Sequence, residues 1–137
     1  MPAGCKEKIH DRILRGKVLQ PVSLEGGFME KEKLTVLIVE DQHINRQILN
    51  ALLSVEYRVL EAENGAVALE QLKEHEEIAA ILLDLVMPVM DGYEFLRQFR
   101  QTPRSQIPVI AITGDKDDRT EQKALSLGAW DFVSKPF

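Results

Sequence analysis

Five short apolar runs recur along the chain at nearly constant intervals, and this rhythm constrains the fold more than any other feature. "LTVLIV" occupies 34–39, "YRVL" 57–60, "AAILL" 79–83, "IPVIAIT" 107–113 and "WDFV" 130–133. Measured at Val36, Val59, Leu82, Val109 and Phe132, the steps are 23, 23, 27 and 23 residues. Such a step is too long for hairpins and fits one strand, one helix and two turns. The intervening segments carry apolar residues at helical spacing: Ile44, Ile48, Leu49, Leu52 and Leu53; Ala66, Leu69 and Leu72 after Asn64-Gly65; Phe95, Leu96 and Phe99 after Asp91-Gly92; Ala124, Leu125 and Leu127 before Gly128, which reads as a helix C-cap. Strands alternating with helices predict a parallel sheet with right-handed crossovers and helices on both faces. The runs are rich in Val, Ile and Leu without alternation, as expected when both sheet faces are covered.

Size and charge narrow the function. The 137 residues suffice for one domain with a sizeable core. A net charge of −5 argues against a nucleic-acid surface, which needs clustered Lys and Arg. No apolar run is long enough to cross a membrane or to serve as a signal peptide. One cysteine, Cys5, forms no internal disulfide, so a reducing, cytoplasmic setting is expected. Residues 1–32 read differently from the rest. "CKEKIHDRILRGK" can form a short helix with Ile9, Ile13 and Leu14 on one side, and "QPVSLEGGF" reads as linker. The main domain is expected over 33–137.

In an open parallel sheet, ligands bind beyond the carboxyl ends of the strands. Glu40 and Asp41 follow the first run, Asp84 the third, Thr113 ends the fourth and Lys135 follows the fifth. The second run leads only into Glu61-Ala62-Glu63, which suits a strand outside the site. Three close carboxylates repel unless a cation sits among them. Hard oxygen ligands favour Mg²⁺, which takes one or two carboxylates plus phosphate oxygens. A carboxylate can itself be the nucleophile, forming an aspartyl phosphate. With Lys135 neutralising one phosphoryl oxygen and Thr113 donating to another, the five residues meet the needs of a phosphorylatable Asp84. Taken singly, each has a plainer reading. Glu40 and Asp41 can be solvated strand-end charges or helix caps, Asp84 a turn cap, Thr113 a strand-ending β-branched residue and Lys135 a surface lysine. His10, His43 and His75 read as surface residues, and Met87, Met90, Phe95 and Trp130 as packing.

The motifs "LIVEDQ", "ILLDLVMPVMDG", "IAITG" and "FVSKPF" resemble the receiver domain of two-component response regulators, in order and spacing, over Lys33 to Phe137. The resemblance implies a flavodoxin-like, doubly wound, five-stranded parallel sheet of order 2-1-3-4-5. It makes Asp84 the phosphoacceptor and Glu40 with Asp41 the acid pair for Mg²⁺, with the backbone carbonyl of Val86 a further ligand. It places Thr113 and Lys135 on the phosphoryl group, makes Phe132 the aromatic that switches with Thr113, and implies a cis Lys135-Pro136 bond. Implied partners are a histidine kinase or phosphotransfer protein, an output domain or partner protein, and a second copy of the chain. The expected role is a switch, with no turnover enzyme activity.

Two departures from the family pattern stand out. The family continues past the fifth strand into a fifth helix, and here Phe137 is the last residue. Either residues 6–15 pack beside the first and fifth strands in its place, or residues 1–32 are tag or linker on a piece of a longer protein. Val86 replaces the polar residue some members carry two positions after the phosphoacceptor, which predicts that dephosphorylation is not especially fast. Competing readings are a phosphate-independent interaction module, an aspartyl-phosphate hydrolase, and a flavin-binding domain. Against the hydrolase, Val86 leaves no general acid. Against flavin, "VEDQ" would repel phosphate.

Overall fold

The computed structural model describes residues 34–85, 92–103, 105–113 and 118–134, with only the backbone described for Thr113, 118–121 and Ser134. Strand and helix alternate throughout. The elements are β1 (Leu34–Val39), α1 (His43–Leu53), β2 (Tyr57–Ala62), α2 (Gly65–Glu74), β3 (Ile78–Asp84), α3 (Gly92–Phe99), β4 (Val109–Thr113), α4 (Asp118–Ser126) and β5 (Asp131–Ser134). The strands form one sheet of order β2-β1-β3-β4-β5, every pair parallel. The expected fold class and strand order are therefore observed.

Burial follows strand position. The central strand β3 is buried along its whole length, and β1 is buried from Thr35 to Val39. Edge strand β2 exposes Arg58 and Glu61 and keeps Tyr57 and Ala62 inside. Side chains alternate between faces along each strand. Leu37, Val39, Ile81, Leu83, Val109 and Ala111 face one side, where they meet Ala68 and Leu72 of α2, Phe95, Leu96 and Phe99 of α3, and Ala124 of α4. Phe95 and Phe99 stack with centroids 5.7 Å apart; full burial of such a side chain is worth about 1.5–3 kcal/mol. Val36, Ile38, Ala80, Leu82, Ile110, Ile112 and Val133 face the other side with Leu49 and Leu53 of α1. Among the described residues, α1 is the only helix on that second face. The segment 6–15, one of two alternatives for the region beside the first and fifth strands, lies outside the described residues.

The helix ends have local causes. Asn64 caps α2, its side-chain oxygen accepting from the Val67 N–H at 2.9 Å. Helix α4 closes in a Schellman turn: the Ala129 N–H reaches the Ala124 carbonyl at 3.0 Å and the Gly128 N–H the Leu125 carbonyl at 3.1 Å. Gly128 has φ +116° there, which confirms its reading as a C-cap.

Two helix faces differ from expectation in phase. Ile44 is 69% exposed. At about 100° per residue it stands opposite Leu53, the buried anchor nine positions on. Ala66 is also exposed, and the buried line of α2 runs through Ala68 and Leu72. Strand limits shift slightly as well: Ile107, Pro108 and Trp130 lie outside the strands, and Trp130 is 43% exposed.

Candidate functional site

Strands β1 and β3 are neighbours, with Val39 in register with Leu83. The next residue on each is an acid, so adjacency in the sheet brings Glu40 and Asp84 together. Each of Glu40, Asp41 and Asp84 offers a carboxylate oxygen within 4.8 Å of the others. Glu40 is fully buried and Asp84 is 3% exposed, while Asp41 is half-buried. Two carboxylates at that spacing repel by about 3 kcal/mol when both are ionised, taking an effective dielectric of about 20. A donor set made of three hard oxygens, two of them buried, fits a divalent cation such as Mg²⁺.

Backbone contacts hold this cluster. The Glu40 N–H continues the sheet ladder to the Ala62 carbonyl at 3.0 Å. The Glu40 carboxylate Oε2 accepts from the Gln42 N–H at 3.2 Å. Gln42 occupies the N-cap of α1 and makes no side-chain cap bond, so neither acid serves as the N-cap residue of that helix. Asp84 ends β3 in register with Ile112 of β4. The following Leu85 donates to the Ile112 carbonyl at 3.3 Å and accepts from the Gly92 N–H at 2.9 Å. The start of α3 is thus tied to the backbone directly after Asp84.

Thr113 ends β4, paired in register with Ser134 of β5. The topology therefore brings Thr113 to the same sheet edge as the acids, and its side chain is not described. Phe132 is half-buried in β5, in register with Ala111, and packs against the first-face core. Val86, Lys135 and the Lys135-Pro136 bond lie outside the described residues. His43 is exposed at the start of α1, and His75 sits at the end of α2 with Nδ1 3.3 Å from Glu77 Oε2.

The structure gives roles to two residues that the motif reading left without one. Arg46, one turn into α1, donates from Nη1 to the carbonyls of Glu40 at 2.8 Å and Asp41 at 3.2 Å. Its Nε pairs with Glu61 Oε1 at 3.3 Å. Glu61 was expected to lie outside the site on a featureless strand end; it is outside, and it anchors the arginine that holds the acid loop. Gly92 is a second addition, packed on the backbone of Asp84 and Leu85. An Asp-Gly pair signals a turn, and nothing local signals this contact.

Comparison with known proteins agrees with this architecture. The response regulator receiver domain family matches residues 36–137. A Vibrio cholerae protein named a probable cyclic di-GMP phosphodiesterase is 43% identical over 103 residues, 74% of this chain and 23% of that protein. Histidine kinase P4 of Formosa agariphila is 38% identical over 121 residues, 88% of this chain and 9% of that protein. The chain thus spans less than a quarter of the length of these two relatives. Among solved structures, a chain of the Saccharomyces cerevisiae co-crystal of the histidine phosphotransfer signaling protein Ypd1 with the receiver domain of the response regulator Ssk1 superposes with TM-score 0.69. It is 30% identical, and the match covers 79% of this chain and 82% of that one. With the strand order, the acid cluster at the ends of β1 and β3, and a match reaching from Val36 to Phe137, the chain belongs to the response regulator receiver domain family of two-component systems.

Proposed function

We propose that the domain is a phosphoacceptor switch in which Asp84 takes a phosphoryl group from a histidine kinase or phosphotransfer protein. One observation carries the reading: three carboxylates converge within 4.8 Å, and the one ending the central strand is almost wholly buried. In the transfer, an Asp84 carboxylate oxygen attacks phosphorus, the P–N bond to the donor imidazole breaks, and the imidazole leaves with the bonding electrons and takes a proton. Mg²⁺, when bound, supplies positive charge for phosphoryl oxygens and acid oxygens alike. Glu40, Asp41, Asp84 and the Val86 carbonyl would hold it. Thr113 and Lys135 are assigned to the phosphoryl oxygens, and Phe132 to the conformational response.

The response is a population shift between two surface states, biased by the covalent group. Relatives that carry matching segments within much longer chains support coupling to an output domain or partner protein. A second copy of the chain is assigned as a further partner on the family resemblance alone. The receiver unit is assigned to 33–137 and an extension to 1–32. No helix among the described residues is long and apolar enough to cross a membrane; a cytoplasmic setting suits the single Cys5 and a kinase donor.

Incubation with acetyl phosphate and Mg²⁺, followed by intact mass measurement, tests the proposal. Wild type should gain one phosphoryl group and Asp84→Asn none. Equal labelling of both proteins would move the phosphoacceptor elsewhere. No labelling of wild type would favour a phosphate-independent interaction module.

A further inference from the structure

We infer that Arg46 is a positioning residue that sets metal affinity at the acid cluster, and that Glu61 holds it in place. The inference rests on the reading of Glu40, Asp41 and Asp84 as a cation site. The Arg46 side chain is 14% exposed, and its polar contacts are specific. Nη1 donates to the carbonyls of two consecutive residues, Glu40 at 2.8 Å and Asp41 at 3.2 Å. Nε faces Glu61 Oε1 at 3.3 Å, and Nη2 lies 3.4 Å from His43 Nδ1. Glu61 is itself fixed: Oε2 accepts from Asn50 Nδ2 at 2.6 Å and its carbonyl from Gln71 Nε2 at 2.8 Å.

Two consecutive carbonyls tied to one nitrogen fix two peptide planes, and hence the directions in which the Glu40 and Asp41 side chains leave the backbone. The clustered carboxylates would otherwise relieve their repulsion by turning apart. The guanidinium opposes that rotation while bonding to carbonyls and to Glu61 rather than to the clustered carboxylates. The arginine therefore holds the spacing of the donor set without itself taking up one of its carboxylates. Groups that orient metal ligands in this way typically change affinity by about 10- to 100-fold when removed.

The test measures magnesium dissociation constants by calorimetry for wild type, Arg46→Ala, Arg46→Lys and Glu61→Gln. The acetyl phosphate labelling rate is measured beside them as a function of magnesium. Arg46→Ala should raise the dissociation constant at least about tenfold, and Glu61→Gln by a smaller factor in the same direction. Arg46→Lys keeps a donor to one carbonyl and should fall between wild type and Ala. The labelling rate at saturating magnesium should stay within about threefold of wild type, since the arginine touches no reacting atom. Unchanged metal affinity in Arg46→Ala overturns the inference, as does a lowered saturated rate at unchanged affinity. Should Arg46→Ala not fold, Glu61→Gln decides: unchanged affinity there overturns the inference. A wild type that binds no magnesium overturns the site reading and this inference together, whereas magnesium binding by wild type with equal binding by folded variants overturns this inference alone.

Discussion

Gly92 lies against Leu85 so closely that a Cβ on the glycine would stand 2.5 Å from the Leu85 Cα and 2.7 Å from the Asp84 carbonyl oxygen. These neighbours are backbone and cannot rotate away. Gly92→Ala must push α3 off the end of β3. Overpacking of this kind costs about 1–3 kcal/mol, and urea unfolding should show a loss in that range. The variant should also label more slowly with acetyl phosphate, because the displaced backbone carries Asp84. Stability equal to wild type would mean that the start of α3 is not held on β3.

Metal should stabilise the fold through the acid cluster. At magnesium tenfold above its dissociation constant, linkage adds about 1.4 kcal/mol. Asp84→Asn removes one of the three carboxylates that would hold the ion, and chelator-containing buffer gives each protein its metal-free baseline. The variant should gain less from magnesium than wild type. Urea titrations with and without magnesium measure the gain; an Asn variant that gains as much as wild type would remove Asp84 from the metal site.

Tyr57 gives the fold an alkaline limit. Burial, reinforced by the neighbouring Glu56 charge, pushes its hydroxyl up to about 12 from an ordinary value near 10. Between those values the unfolded chain has released the proton and the folded chain still holds it, so stability falls as pH rises through the window. The full effect is about 3 kcal/mol. Tyr57→Phe should flatten the pH dependence of unfolding between about pH 10 and 12 and leave its slope near neutrality unchanged. Parallel curves for the two proteins would remove Tyr57 as the cause.

The two helix caps should be separable from the site. Asn64→Ala removes the acceptor for the Val67 N–H and should cost about 1 kcal/mol. Gly128→Ala forces a side chain into φ +116°, with Arg100 Cδ 3.0 Å from the new Cβ, and should cost about 1 kcal/mol or more. Both variants should bind magnesium as wild type does, which calorimetry would check.

Much of this molecule is visible in one dimension because its acids end apolar runs. Asp84 follows six buried positions, and a parallel sheet brings the ends of β1 and β3 together whatever the loops do. Helix phase is harder to read. Ile44 and Ala66 are apolar and near the right spacing, yet a stripe centred on Leu49 and Leu53, or on Ala68 and Leu72, turns them outward. Arg46 escapes a motif search for a different reason. Its work is done on backbone carbonyls, which every residue has, so no pattern of side chains marks the arginine that will use them. Gly92 is similar: its Asp-Gly signal announces a turn, and only the packed structure shows two backbones in contact.

Helix α1 has two employments. Its middle and last turns seal the second sheet face with Leu49 and Leu53, while its first turn reaches back through Arg46 to grip the loop that bears two acids. One rigid rod therefore spans from the greasy floor of the domain to the corner where the three acids meet. Loosening the grip at one end tugs on the seal at the other, so the corner inherits the stiffness of the floor.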